Sequence, residues 1–277
     1  MQDYSGKRVY ITGGSSGIGL AMAVKFARNG ADVAIFGRDN DKLGLAVAKI
    51  EAAFRNPENQ HAYGTILEVS DADAVTRILT ATVSSFGIPD VLILSAGGTV
   101  TKPFREFQVS EFNQIIQTNL IGTVAPISTL LSQMAKSGGA VMLVSSMGGL
   151  IGAYGYSAYS SSKFALLGLG EVLRWELAEN NISVSVLCPP EVATPFVEYE
   201  KATIPAKTRA AKDLLGTLTA EYVDDYAIKG MERKKYLIIP GFRAKGMYWL
   251  SRVLPLTLLQ WVSTVLIGLL IKVKYRN

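Results

Sequence analysis

Apolar residues recur along the chain in short runs and in helical stripes, and the two periods alternate from the start. Residues 7–12 (KRVYIT) read as a short buried strand, and Gly13 to Gly19 form a glycine-rich turn. Residues 18–29 then carry Ile18, Met22 and Phe26 at helical spacing, up to Gly30 where a C-cap is expected. Further strand-like runs fall at 32–36, 64–69, 90–95, 140–145, 182–188 and 236–240. Helical stretches lie between them near 40–54, 71–86, 110–136 and 157–180. Ser70 and Ser110 stand at N-cap positions, with Asp71 and Glu111 in the turns that follow, where negative charge suits the helix dipole. Apolar strands alternating with helices build a parallel sheet covered on both faces. The rhythm breaks at 191–235, which holds Pro195, Pro205 and many charges, as an excursion over a binding cleft does.

A chain of 277 residues with 49% hydrophobic and 18% charged residues forms one large α/β domain rather than two ordinary ones. The expected division is one large domain over 1–242, with 191–235 as its flap, and a tail over 243–277. One cysteine, Cys188, and one histidine, His61, exclude an internal disulfide and a structural zinc site. Lys7 and Arg8 precede a short strand rather than a signal-peptide core, so an intracellular-facing chain is expected.

The net charge of +5 is unevenly distributed. Residues 1–232 hold 19 bases and all 23 acids, whereas residues 233–277 hold nine bases and no acid. These bases bracket an apolar stretch instead of covering a face with interleaved aromatics, so a membrane surface is expected and nucleic acid is not. From Val253 to Ile271 the chain runs nineteen residues without a charge, flanked by Arg252 and by Lys272, Lys274 and Arg276. Trp249 and Trp261 are of the type found at membrane interfaces, while Pro255 and Gln260 interrupt a simple span. A shallow insertion with both basic ends on one side is expected. The alternative is an apolar helix that closes a dimer or covers the substrate cleft.

Two clusters carry candidate chemistry. Gly13, Ser15, Ser16, Gly17, Ile18 and Gly19 sit between the first strand and the first helix. Glycines there allow a tight turn and close approach of a pyrophosphate to the helix N-terminus. The spacing is GxxxGxG, not GxGxxG, and by itself also fits a flexible turn. At the end of the second strand stands Arg38 instead of an acid, which suits a ribose 2′-phosphate and hence NADP(H). Alternatively Arg38 is a solvated helix-start residue beside a capping Asp39. Farther on, Tyr159 and Lys163 lie one helical turn apart, so that an ammonium favours the phenolate of an acid–base tyrosine. Ser146, thirteen residues before Tyr159, falls at a strand's carboxyl end and is placed to hold a carbonyl. Asn119 is a polar amide in an apolar run, fit to hold a relay water or to be satisfied by backbone. Lys201, Lys207, Arg209 and Lys212 read as solvated helix faces without a role.

In order and spacing, Gly13/Gly17/Gly19, Asn119, Ser146, Tyr159 and Lys163 resemble the short-chain dehydrogenases/reductases over roughly residues 7–241. That resemblance implies a single-domain Rossmann fold with a seven-stranded parallel sheet and hydride transfer between NAD(P)H and a carbonyl or alcohol. It implies Tyr159 as acid–base, Lys163 as ribose ligand, Ser146 as carbonyl holder and Asn119 as anchor of a relay water. It adds to the cofactor set Ala96 and Gly97 on the adenosine side, Glu68 and Val69 at adenine, Pro189 and Val192, and Thr194 at the carboxamide. The chain departs from the family at Ser95-Ala96-Gly97, usually Asn-Ala-Gly, at Glu68, usually Asp, and at Pro189-Pro190, usually Pro-Gly. With Gly155-Tyr156-Ser157-Ala158-Tyr159, the segment from Cys188 to Pro195 resembles a subgroup, the 3-ketodihydrosphingosine reductases. The subgroup implies an NADPH-dependent reduction of a long-chain lipid ketone, 3-ketosphinganine, on the cytosolic face of a membrane, the endoplasmic reticulum in a eukaryote. Met247 and Trp249, with Phe196 and Tyr199, then form the acyl mouth. Other lipophilic ketones (a steroid or a 3-ketoacyl thioester) and a non-catalytic NADP-binding scaffold stay open, as does assembly into a homodimer or homotetramer.

Overall fold

A computed structural model describes residues 2–201, 204–255, 257 and 265. Strands and helices alternate as the apolar periods require: β1 (Arg8–Thr12), α1 (Gly17–Arg28), β2 (Asp32–Gly37), α2 (Asn40–Glu51), β3 (Ala62–Ile66), α3 (Ala72–Phe86) and β4 (Val91–Leu94). Then come α4 (Val109–Ile116), α5 (Gly122–Met134), β5 (Gly139–Val144), α6 (Ser157–Glu176) and β6 (Ile182–Leu187). The chain finishes with β7 (Glu191–Val192), α7 (Pro195–Lys201), α8 (Ala206–Leu215), β8 (Thr217–Leu218), α9 (Ala220–Glu232), β9 (Leu237–Ile238) and α10 (Phe242–Val253).

Seven parallel strands form one sheet in the order β3-β2-β1-β4-β5-β6-β9. β1 pairs with β2 on one side, Val9 opposite Val33, and with β4 on the other, Val9 opposite Val91. The strand order therefore reverses at β1, which opens a crevice at the carboxyl ends of β1 and β4. Alternate residues of each strand feed two cores. Val9 and Ile11 pack with Met22 and Phe26 of α1 and with Val223 and Ile228 of α9. Tyr10 packs on the other face, with Leu79 of α3, Leu130 of α5 and Leu166 of α6. Each fully buried apolar side chain of this size contributes roughly 1.5–3 kcal/mol, so the two cores make the sheet a rigid platform for its loops.

Several local expectations are corrected. β3 ends at Ile66, where residues 64–69 were expected to be strand, and it is half exposed as an edge strand. Asp71, not Ser70, caps α3 by accepting from the Ala74 N–H at 2.9 Å, and the Ser70 hydroxyl turns to Glu68. Gln108, not Ser110, starts α4, where Glu111 reaches back to the Gln108 N–H at 2.9 Å. The stretch expected as one helix over 110–136 runs without interruption over Val109–Met134 and carries a π turn at Gln117–Ile121 between α4 and α5. Within 191–235, α9 packs on α1 as part of the core.

Most of the uncharged run 253–271 lies outside the described residues. Among the described residues the one helix long and apolar enough to cross a membrane is the continuous segment Val109–Met134, inside the body. It packs against α3 and α6, as a core helix does.

Candidate active site

At the first crossover the backbone itself makes the wall. Gly13 has φ +69°, and a Cβ there would stand 2.7 Å from the Ala96 nitrogen. A Cβ on Gly19 would stand 2.4 Å from the Gly13 carbonyl oxygen. The Gly13 N–H donates to Phe36 O at 2.8 Å, which ties the turn to β2. The turn is thus a fixed cradle and not a flexible loop. Ser16 is the N-cap of α1 but makes no side-chain cap. The first-turn N–H groups of α1 therefore stand at the cavity with their dipole unanswered by a side chain, the arrangement that takes a phosphate. A dinucleotide fits this cradle.

The cavity has a volume of about 820 Å³ and runs along the carboxyl edge of the sheet. Its walls bring together Gly13, Ser15, Ser16, Gly17, Ile18, Arg38, Ala96, Gly97, Ser146, Tyr159, Lys163, Pro189, Val192 and Thr194. Gly19, Glu68, Val69 and Asn119 stand outside the wall. Gly19 packs beneath the turn, and Val69 is buried against Gly122. Glu68 accepts from the Ser70 hydroxyl at 2.9 Å and lies 3.6 Å from Arg38 Nη1. Both partners of that ion pair are well exposed, so it holds Arg38 only weakly. Asp39 caps α2 by accepting from the Asp41 and Lys42 N–H groups, each at 3.1 Å, and leaves the Arg38 guanidinium at the cavity wall.

Past the dinucleotide cradle, β5 delivers Ser146 and α6 delivers Tyr159 and Lys163. The Ser146 hydroxyl accepts from the Gly148 N–H at 3.1 Å and stands close enough to the Tyr159 phenol to favour its ionised form. Lys163 Nζ donates to Val144 O at 2.8 Å and lies 5.7 Å from the Tyr159 ring centre. A Cβ on Gly97 would stand 3.5 Å from the same ammonium, so that glycine leaves it room at the wall. Burial pushes Lys163 down to about 8. Burial also pushes Tyr159 up to about 12, against the effect of Ser146 and with help from the Glu200 charge. The expected lowering of the phenol by Lys163 is not what the protein alone produces. Desolvation is the largest influence, and it favours the protonated phenol.

Asn119 sits on the π turn and is fully buried. Its Oδ1 accepts from the Gly98 N–H at 2.8 Å, while its Nδ2 donates to Gly98 O at 3.0 Å and to the Ser162 hydroxyl at 2.9 Å. The amide clamps the Gly97–Gly98 segment to α6 next to Lys163. Extra turns of this kind frequently occur at functional sites.

The flap holds a group of residues that the sequence reading missed. Arg209, on α8, grips Glu191 with both terminal nitrogens at 2.9 and 3.0 Å, and Thr217 donates to Glu191 at 2.8 Å. Lys212 bridges Glu191, at 2.9 Å, and Glu200. Glu200 also accepts from the Tyr156 phenol and, at 3.0 Å, from the Thr101 hydroxyl. Arg209 and Lys212, expected on a solvated face, are only 19% and 16% exposed. A signal was present: Glu191 stands only four residues after the end of the apolar strand β6, where a carboxylate needs a cation to be buried.

A family model described as short chain dehydrogenase matches residues 7–205. The chain is 33% identical over 226 residues to a 3-dehydrosphinganine reductase of Danio rerio, covering 81% of this chain and 68% of that protein. It is 34% identical, with the same coverage, to a 3-ketodihydrosphingosine reductase of Bos taurus. A solved short chain dehydrogenase/reductase of Burkholderia phymatum, in complex with NAD, superposes with a TM-score of 0.80 at 22% identity, covering 91% of this chain and 95% of that one. That last likeness speaks for the fold, and the first three for ancestry: the chain belongs to the short-chain dehydrogenase family of oxidoreductases.

Proposed function

We propose that this protein reduces a long-chain lipid ketone at the expense of NADPH, and that the ketone is 3-ketosphinganine. The observation that carries the reading is the continuity of one cavity. The same cavity is lined by the glycine-rich turn, by Ser146 and Tyr159, and by the apolar side chains Leu214, Leu215 and Met247. A nicotinamide dinucleotide bound at Gly13–Gly19 supplies a hydride. The protein's own residues do the rest. The Ser146 hydroxyl holds the carbonyl oxygen, and Tyr159, kept protonated by burial, delivers the proton that turns the nascent alkoxide into an alcohol. Lys163, anchored by Val144 O, supports the site beside Gly97. Arg38 favours the 2′-phosphate of NADPH, since a guanidinium pairs with phosphate and no carboxylate is offered to bare ribose hydroxyls at that position.

The lipid character of the substrate has separate support. α10 packs inward through Ala244, Met247 and Tyr248. Outward it turns Phe242, Trp249 and Val253, which are 81%, 64% and 76% exposed. Arg243, Lys245 and Arg252 accompany this apolar face, and no acid follows Glu232. A basic helix with an apolar outer face is suited to lie in a membrane interface. The same helix contributes Met247 to the cavity wall, so a chain gaining about 0.8 kcal/mol per buried CH₂ passes from bilayer to cavity without full exposure to water. The names of the relatives in Danio rerio and Bos taurus agree with this substrate class.

The test is an assay of the purified full chain with NADPH and 3-ketosphinganine in mixed micelles, followed at the nicotinamide absorbance band and by mass spectrometry of the product. Sphinganine formed in step with NADPH consumption is the expected result. NADPH left intact with every lipid ketone would overturn the reading.

A further inference from the structure

The cavity that holds Tyr159 is lined by two chemically different groups. Leu214, Leu215 and Met247 are apolar. Tyr156 and Glu200, which line the same cavity, are polar. Tyr156 lies one turn before Tyr159, and the two rings are 5.1 Å apart. The Tyr156 phenol donates to Glu200, and the charge of Glu200 is felt at the Tyr159 phenol. A carboxylate therefore stands within electrostatic reach of the place where the carbonyl oxygen is held. Hydride transfer to a ketone does not need it there, and it opposes formation of any negative charge on Tyr159 or on the reacting oxygen.

We propose that Glu200 recognises a protonated amine adjacent to the ketone, so that the enzyme selects a cationic amino ketone over neutral lipid ketones. The inference rests on the lipid-ketone reading and narrows it. The pairing around Glu200 shows how the amine is received. One carboxylate oxygen, Oε1, is taken by Tyr156 and Thr101, and the other, Oε2, by the Lys212 ammonium. Lys212 is at the same time 2.9 Å from Glu191 Oε2. When a substrate ammonium arrives at Glu200 Oε2, Lys212 withdraws to the carboxylate it already touches. Each carboxylate then keeps a cation, and the cost of an unpaired buried charge is avoided. A neutral ketone cannot make that exchange. It leaves Lys212 in place and gains no charge-assisted hydrogen bond. With the amine at Glu200 and the acyl chain against Leu214, Leu215 and Met247, the carbonyl between them is directed to Ser146 and Tyr159.

The experiment compares 3-ketosphinganine with the 1-hydroxy-3-ketone of equal chain length that lacks the amine. Both are reduced by NADPH with the full chain, and the ratio of their kcat/KM values is read. The expected ratio in the wild type is about tenfold to a hundredfold in favour of the amine, the worth of one hydrogen bond to a charged group. Glu200→Gln brings the ratio close to one, chiefly through KM for the amino ketone, and Glu200→Asp restores part of it. Lys212→Gln keeps the preference, since that lysine is the group displaced. A wild type that reduces both ketones equally well overturns this inference and leaves the lipid-ketone reading intact. Equal loss of preference in Glu200→Gln and Lys212→Gln also overturns it, because that pattern marks a latch of the flap. NADPH consumption with neither ketone defeats the broader reading, and this inference with it.

Discussion

At the dinucleotide end of the cavity the wall is mostly backbone, whereas at the substrate end it is mostly side chain. Gly13 and Gly19 hold the first end by letting strand, turn and helix approach more closely than any Cβ allows, and Gly13 and Gly17 have positive φ. The substrate end is held by charge. Glu191, Glu200, Arg209 and Lys212 come from β7, α7 and α8, and they meet only once those segments have folded over the sheet edge. The first arrangement is local and stiff, and it suits a cofactor of constant shape. The second can exchange partners without leaving a charge bare, and it suits substrates that enter and leave.

Substitutions can break this contrast in order of effect. Tyr159→Phe removes the proposed proton donor but no wall of the cradle. Turnover is expected to fall by about a thousandfold while NADPH affinity, read by fluorescence titration, stays within about twofold. Gly13→Ala strikes the backbone end: its Cβ meets Ala96 at 2.7 Å and φ is +69°. A loss of about 3 kcal/mol is expected in denaturant melts, with weakened dinucleotide binding.

Glu191→Gln strikes the ionic end and is expected to cost about 2 kcal/mol, felt first as protease cleavage between α7 and β8 while the sheet stays intact. Acid does the same to the wild type. Burial alone raises the Glu191 pKa, but hydrogen bonds from Arg209, Lys212 and Thr217 outweigh it and bring the group to about 2. Its folded pKa is below the ordinary 4.5, so its stabilisation is complete above pH 4.5 and is lost as pH falls towards about 2. Flap cleavage by an acid protease is expected to rise across that window, and a flat profile would show that the ion pairs do not hold the flap. The smallest effect is expected for Arg38→Asp, an exchange of preference from NADPH towards NADH of about tenfold, read from the two kcat/KM values.

How much of this was legible in the sequence follows the same division. The doubly wound sheet was legible because buried parallel strands are apolar throughout and their helices carry a 3.6-residue stripe. The turn at Gly13–Gly19 and the Tyr159–Lys163 pair were legible because their spacing is short and local. Asn119 was visible as a polar residue in an apolar helix, but not the π turn that aims it at Gly98, since that turn is set by packing against α6. Arg209 and Lys212 were misread as solvated because their acids are distant in sequence, Glu191 lying 18 residues before Arg209. The rise of the Tyr159 pKa in the chain by itself was not legible for a related reason. Spacing reveals a neighbouring ammonium, but only the folded chain reveals how deeply a phenol is buried.

The proposed reaction delivers a hydride from NADPH to the carbonyl carbon of a lipid ketone held at Ser146 and Tyr159. It is tested by a turnover with NADPH carrying deuterium at the transferable C4 position and 3-ketosphinganine as acceptor. Sphinganine with one deuterium on its new carbinol carbon, formed one for one with NADP⁺ and lost in Tyr159→Phe, is the expected product. Deuterium retained on the dinucleotide, or a reduced product without label on that carbon, would contradict it.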